Sequence, residues 1–286
     1  MLEKIALFLK GISDYMKSDL CLFKYFKDAL SITNNNIILL SPLILFIMFV
    51  SIYLLVSPSN VLWNLLFVLI LFFAMTSAFF SGWFYTVALA VKGENDKNDI
   101  FSLLKQFPAG VGKHFVSFFF MIIIFFLLLT FVIILSYKTA YMLIGSIGIS
   151  RPEFFLAMSS SDAMTEMIKS LSVEQQTKLL QWNFYFLFTT TVYSFLIMFW
   201  APEVILKKET VINALVGSLG KLFERFFKSL AVFAFLMLLY FMIICLSGFA
   251  GIPFAEFLVT VLYFYFLLYA TVLIFLFYKR EFDIDE

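Results

Sequence analysis

The sequence has few residues that bind metals, form disulfides or titrate near neutral pH. Its 286 residues include one histidine, His114, and two cysteines. A single histidine without neighbouring ligands at metal-binding spacing does not make a zinc site. Cys21 precedes the first long apolar run and Cys245 lies inside the fifth, so a structural disulfide between them is not expected. We therefore predict neither a metal nor another cofactor.

Charged residues are also scarce. They make up 14% of the chain, whereas hydrophobic residues make up 63%, too many for one core of a water-soluble domain of this length. The apolar residues form six uncharged runs, each long enough to cross a bilayer as a helix, which takes about 20 residues. These predicted spans are residues 37–56, 61–91, 115–137, 182–201, 229–251 and 257–278. The sequence therefore predicts an all-α fold: a polytopic membrane helix bundle with six transmembrane helices in one integral membrane domain, residues 1–286.

Lysine and arginine are distributed unevenly between the predicted spans. With a cytoplasmic N-terminus, sixteen of the twenty lie inside, in residues 1–36, 92–114, 202–228 and 279–286. The other four, in the predicted outside loop 138–181, are Lys138, Arg151, Lys169 and Lys178. Because cytoplasmic segments are enriched in positive charge, this division predicts that both termini are cytoplasmic. We expect a multi-pass protein of a bacterial inner membrane.

Asp, Glu, Lys, Arg and His are missing from all six predicted spans. Ion-coupled transporters, intramembrane proteases and voltage sensors usually place such residues at membrane depth. Their absence argues against these classes. Membrane lipids are the expected partners, other membrane proteins are further candidates, and nucleic acid is not expected.

Two segments have the pattern of amphipathic helices at the membrane surface. Residues 1–36 are predicted to form cytoplasmic interfacial helices, and a second such helix covers residues 207–228. Its predicted apolar face consists of Val211, Leu215, Leu219, Leu222, Phe223 and Phe226. Its predicted hydrated side consists of Asn213, Lys221, Glu224, Arg225 and Lys228. Such a helix lies among lipid headgroups, either simply connecting spans or offering a docking surface to a soluble partner.

The interfacial segments that precede spans one, three and five resemble one another. One interpretation is three repeated units, each an interfacial helix followed by a hairpin. The alternative is that similar segments arise wherever a helix lies along the headgroups. Both stay open.

Three local patterns make narrower predictions. Ala74, Ala78 and Gly82 recur at every fourth position and predict a small-residue face for helix packing in the second span. The segment 108–112, with one proline and two glycines, predicts a break before the third span. Residues 172–175, Ser-Val-Glu-Gln, fit a capping box that begins the helix entering the fourth span.

The segment Ala201-Pro-Glu-Val-Ile-Leu206, followed by Asn213-Ala-Leu215 and Ser218, resembles a pattern in uncharacterised bacterial six-span proteins. Those proteins are similar to the membrane domain attached to some glycerophosphodiester phosphodiesterases. The resemblance implies an all-helical integral membrane protein without an assigned activity. It supplies no catalytic residues.

These observations favour a non-enzymatic protein: a membrane scaffold, or a permease-like component that handles apolar or lipidic cargo. The alternative is a membrane-bound enzyme acting on lipid at the cytoplasmic interface. Its candidate residues are Glu203, Glu209 and His114. A cluster of acid, base and metal ligands at one interface would favour the enzyme.

Overall fold

A computed structural model describes residues 22–56, 62–93, 101–149, 157, 160–248 and 253–282. Within these ranges the regular elements are all helical, as predicted. The α-helices are α1 Leu22–Asn35, α2 Leu40–Val56, α3 Leu62–Lys92, α4 Ser102–Lys105, α5 Phe107–Ile144, α6 Ser161–Ser170, α7 Val173–Leu196, α8 Trp200–Lys207, α9 Val211–Glu224, α10 Phe226–Ser247 and α11 Pro253–Glu281. A 3₁₀ turn, Ile37–Leu39, precedes α2.

Among the described residues, five segments are long and apolar enough to cross a membrane: α3, α5, α7 together with α8, α10, and α11. A sixth is the pair α1 and α2, which is bent by 78° at Asn36 and counts only if the bent pair forms one span. The protein is therefore a multi-pass helical membrane protein. The number six and the threefold repeat stay predictions.

The break predicted at 108–112 is wrong, because the turn before the third span lies earlier, at Gln106 between α4 and α5. Helix α5 begins at Phe107 and continues without interruption through Pro108, Gly110 and Gly112. Proline is tolerated in the first turn of a helix because its missing N–H has no partner there in any case. Gly110 allows close packing, since a Cβ atom at this position would lie 2.6 Å from Cβ of Tyr85 on α3.

The predicted capping box is confirmed. The backbone N–H of Ser172 donates to Oε1 of Gln175 at 3.1 Å, and the backbone N–H of Gln175 donates to Oγ of Ser172 at 3.3 Å. Helix α7 starts at the next residue, Val173. The predicted outside loop is itself partly helical, because α5 extends to Ile144 and α6 lies within the loop.

The chain divides into two compact units. The larger unit comprises residues Met1–Ile123 and Ile197–Glu286, and the smaller unit is Ile124–Leu196. The assignment of one domain to residues 1–286 stays a prediction.

In the larger unit, α3 and α11 contribute much of the buried surface. The largest fully buried side chains include Trp200, Tyr278, Phe118, Phe199, Phe275 and Phe277. The indole N–H of Trp83 donates to the carbonyl oxygen of Leu39 at 2.9 Å, tying α3 to the turn before α2. Between helices in a membrane, such rings stabilise the fold by close van der Waals packing.

Of the small residues predicted to form a packing face on α3, Gly82 has a described close contact with another helix. Gly82 is buried, and a Cβ atom there would lie 2.7 Å from the ring of Phe107. The absence of a side chain at Gly82 therefore lets that ring approach the α3 backbone. Ala74 and Ala78 are half-buried, and their role in helix packing stays a prediction.

Candidate functional site

A pocket of about 470 Å³ lies between the C-terminal end of α3, the first turns of α5 and the end of α8. We call it the basic pocket. Its lining residues are Tyr85, Ala88, Leu89, Lys92, Lys113, His114, Ser117, Val204, Ile205, Leu206, Lys208 and Glu209. All twelve belong to the larger unit.

Three lysines and one carboxylate line the basic pocket. Lys113 is held by Tyr85: its Nζ donates to the phenol oxygen at 2.9 Å and lies 4.8 Å from the ring centroid. Lys208 follows the last residue of α8 with a left-handed backbone, φ 56° and ψ 32°, which ends the helix beside the pocket. With Lys92 and against Glu209, the lining carries an excess of positive charge.

His114 forms the least exposed polar part of the lining. Its side chain is buried, and its ring centroid lies 5.7 Å from that of Tyr85. Glu209 lines the same pocket. The structure thus brings together two of the three residues of the enzyme hypothesis. Within the described ranges, no group of three or more His, Cys, Asp or Glu side chains could hold a metal ion.

Glu203, the third residue of that hypothesis, is absent from the pocket lining and is held in a buried ion pair. Its Oε2 lies 2.8 Å from Nζ of Lys221 on α9, and its Oε1 lies 3.9 Å from Nζ of Lys207. The Glu203 side chain is only 4% exposed. The Lys221 ammonium also donates to the phenol oxygen of Tyr278, connecting α8, α9 and α11. We call Glu203, Lys221 and Tyr278 the buried charge cluster.

The expectation that Lys221 lies on the hydrated side of its helix is wrong. Its side chain is 13% exposed and packs over the rings of Tyr278 and Phe282, with Nζ 4.4 and 5.3 Å from their centroids. Burial lowers the pKa of Lys221 to about 8, although the Glu203 carboxylate favours its charged form. The sequence pattern misplaced this lysine because its partner is eighteen residues away on another helix.

The side of α9 that packs against the protein consists of Ala214, Ser218 and Leu222, which are buried. Of these, only Leu222 belongs to the face predicted to meet the membrane. Phe223, also assigned to that face, is 60% exposed. The other residues of the predicted face are half-buried: Val211, Leu215, Leu219 and Phe226. Their role at a membrane interface stays a prediction.

A second cluster of charges, at the end of α11, was missed by the sequence reasoning. The Glu281 carboxylate is 6% exposed and accepts from Nζ of Lys228 at 2.8 and 2.9 Å. The Tyr25 hydroxyl of α1 donates to it at 2.9 Å, and Nε of Arg225 lies 3.7 Å away. The predicted interfacial residue Arg225 is thus exposed but paired. Only the fold reveals these partners, which are distant in sequence.

Comparisons with known proteins find no match: no family model, no curated protein and no solved structure is similar to the chain. The resemblance to the membrane domain of glycerophosphodiester phosphodiesterases therefore stays a proposal. The cysteine prediction can be followed in part, since Cys245 is free and exposed whereas Cys21 lies outside the described residues.

Proposed function

We propose that the protein is a non-enzymatic integral membrane protein of the inner membrane, acting as a scaffold or as a permease-like component for apolar or lipidic cargo. One observation carries this proposal: the long helices present large apolar side chains outward. Exposed examples on α5, α7 and α10 include Phe131, Leu127, Phe184, Leu187, Leu238 and Phe241. Such surfaces are the natural contact for lipid chains.

The ion pairs support a structural use for the buried acids. Glu203 and Glu281 are each almost fully buried and paired with lysine. A carboxylate held this way joins helices and is poorly placed to exchange protons with a substrate. Their pairing therefore favours the scaffold or permease-like function over the enzyme.

One observation favours the alternative, a membrane-bound enzyme acting on lipid. His114 and Glu209, a base and an acid by residue type, line the same pocket. General acid–base catalysis needs such groups within hydrogen-bond reach of the substrate. If the protein is such an enzyme, replacing His114 should abolish its activity.

Reconstitution separates the two functions. Purified protein in liposomes with a fluorescent phospholipid would be assayed for lipid movement between leaflets, and the lipid would then be identified by mass spectrometry. We expect the lipid to stay chemically intact. Lipid movement between leaflets faster than in protein-free liposomes would indicate the permease-like form. Lipid held tightly by the protein, without such movement, would indicate the scaffold. A new lipid product that disappears in His114→Gln but persists in Lys169→Gln would contradict the proposal and favour the enzyme. If the protein neither moves the lipid between leaflets nor retains it, the proposal is also contradicted.

The proposed orientation, with both termini cytoplasmic, rests on the sixteen-to-four division of Lys and Arg. In a background without Cys21 and Cys245, single cysteines would replace Ser160 and Gly220. Ser160 is exposed, and a Cβ atom at Gly220 would meet no neighbour within 4 Å. An impermeant thiol reagent added to intact cells should label only position 160. Labelling of position 220 alone would reverse the orientation.

A further inference from the structure

We propose that the basic pocket binds the phosphate group of an anionic phospholipid headgroup. This inference rests on the proposed association with lipid and adds a defined headgroup site to it. It is carried by the charge of the lining, the size of the pocket and the apolar surface beside it.

The charge of the lining fits a phosphate. Three ammonium groups, those of Lys92, Lys113 and Lys208, stand against the single carboxylate of Glu209, so these four groups sum to +2. Phosphate oxygens accept charge-assisted hydrogen bonds from lysine, for which a compact ammonium is well suited. Tyr85 keeps the Lys113 ammonium near the pocket through a 2.9 Å hydrogen bond, which reduces the entropy lost on binding.

Room and apolar walls indicate a ligand larger than free phosphate. The volume of about 470 Å³ lies within the range of small-molecule pockets. Ala88 and Leu89 of α3 and Ile205 of α8 provide apolar lining. The glycerol part of a lipid headgroup can lie against these side chains while its phosphate contacts the lysines.

Helix α5 supplies a path from the pocket to the hydrocarbon layer. Val116 and Phe120 follow Lys113 by three and seven residues, so the three side chains share one face of the helix. Val116 is 65% exposed and Phe120 is 54% exposed. An acyl chain of a lipid whose phosphate contacts Lys113 would run along these two residues. Free phosphate would make no use of them.

Two features oppose an anion and determine where it can lie. Glu209 lines the pocket, and α8 directs its C-terminal end, with its partial negative charge, toward the pocket. The phosphate is therefore expected beside Lys92 and Lys113, with Lys208 countering the charge at the end of α8. Removing the Glu209 charge should strengthen binding. A zwitterionic headgroup would behave differently, because its ammonium would use Glu209.

The test uses the full chain in detergent micelles, with dioctanoyl phosphatidic acid as the probe. Native mass spectrometry would measure the bound fraction during a titration. Parallel titrations would use dioctanoylglycerol, which lacks the phosphate, and inorganic phosphate as a competitor. We expect saturable binding of the phospholipid, much weaker binding of dioctanoylglycerol, and little displacement by inorganic phosphate.

Variants then locate the site. Lys92→Gln and Lys113→Gln should each weaken binding by about tenfold, which corresponds to about 1.4 kcal/mol, and Lys208→Gln should weaken it less. The matched control is Lys169→Gln, which removes one positive charge from an exposed residue of α6 and should leave binding unchanged. Lys113→Arg keeps the charge and should bind nearly as well as the native protein. Glu209→Gln should bind more tightly. Size-exclusion profiles and melting temperatures would show that each variant folds.

Four results would overturn the proposal. Unchanged binding in both Lys92→Gln and Lys113→Gln, with folding intact, would exclude the basic pocket. Equal binding of dioctanoylglycerol would exclude phosphate recognition, and displacement by inorganic phosphate at the concentration of the lipid would identify a free-phosphate site. Weaker binding of the phosphatidic acid by Glu209→Gln would show that the Glu209 carboxylate supports binding, and would contradict a site in which it repels an anion. None of these results bears on lipid retention or movement in liposomes. The liposome experiment therefore tests the proposed function independently of this headgroup site.

Discussion

The contacts within the two units differ, because the larger unit adds buried ion pairs to neutral hydrogen bonds such as that of Trp83. In the larger unit, buried ion pairs join consecutive helices, Glu203 of α8 to Lys221 of α9 and Lys228 of α10 to Glu281 of α11. In the smaller unit, the bonds described between α5 and α7 are neutral. The Tyr193 hydroxyl donates to the carbonyl oxygen of Phe125 at 2.9 Å, and the hydroxyls of Thr139 and Tyr185 lie 2.7 Å apart.

This difference predicts that the stabilities of the two units respond differently to the loss of a bonding partner. Burying a charge is costly, and losing one partner of a buried pair leaves the other uncompensated. Losing a neutral hydrogen bond removes only a modest net contribution. The larger unit should therefore respond strongly to changes of charge and pH, whereas the smaller unit should respond weakly. Trp63, Trp83 and Trp200 belong to the larger unit and Trp182 to the smaller, so one variant that keeps only Trp182 and another that lacks only Trp182 would let fluorescence follow the units separately.

The largest effect is expected from Glu203→Gln. This change leaves the Lys221 ammonium, 13% exposed, without its carboxylate partner. We expect the free energy of unfolding to fall by about 3 kcal/mol. Denaturant titration in micelles, followed by fluorescence, would measure it.

The control for that variant is Glu174→Gln in the smaller unit. Glu174 forms a 2.8 Å pair with Lys178, but its side chain is 78% exposed, so no measurable loss is expected. Equal losses from the two variants would show that burial does not distinguish these pairs.

The second prediction concerns pH. Burial, the dominant cause, lowers the pKa of Lys221 in the fold to about 8, whereas the ordinary value is 10.5. Between these values the unfolded chain holds the proton that the fold has released, so stability contributed by this group rises with pH. The slope is at most about 1.4 kcal/mol per pH unit.

The comparison for this pH dependence is Lys221→Arg, because arginine stays charged throughout. The difference in unfolding free energy between the native protein and this variant should shift in favour of the native protein as pH rises from about 8 to 10.5. A difference independent of pH in that window would contradict the lowered pKa.

The third prediction compares two glycines of α9. A Cβ atom at Gly217 would lie 2.9 Å from Oε1 of Glu203, whereas one at Gly220 would meet nothing within 4 Å. The carboxylate cannot move aside freely because Lys221 holds it. We expect Gly217→Ala to lose about 1 to 2 kcal/mol, and Gly220→Ala to gain up to about 1 kcal/mol from helix propensity. Equal gains, measured by the same titration, would show that the buried charge cluster tolerates the methyl group.

Local patterns predicted the helices well. The lengths of the apolar runs anticipated α3, α5, α10 and α11, and the Ser172–Gln175 spacing located the start of α7. These features depend on neighbours in sequence. The break predicted at 108–112 failed because a glycine serves close packing as readily as it ends a helix.

The charged clusters could not be predicted in the same way. Glu203 and Lys207 are four residues apart on α8, so their proximity was readable from helical spacing. The stronger partner, Lys221, reaches Glu203 only because α9 packs against α8. Likewise the pocket lysines come from three separate elements, so no single segment of the sequence indicates that they lie close together.

The smallest effect is expected in the smaller unit, from Tyr193→Phe. Tyr193 is buried, and its hydroxyl bonds the carbonyl oxygen of Phe125, so the variant should lose about 1 kcal/mol of unfolding free energy. The loss should be the same at low and high salt, because neither group is charged. The control is Tyr141→Phe. Because the Tyr141 side chain is 54% exposed, loss of its hydroxyl should not change the unfolding free energy measurably. A loss in Tyr193→Phe as large as that in Glu203→Gln, or one that depends on salt, would mean that the contrast between neutral and charged bonding does not govern the stability of the two units.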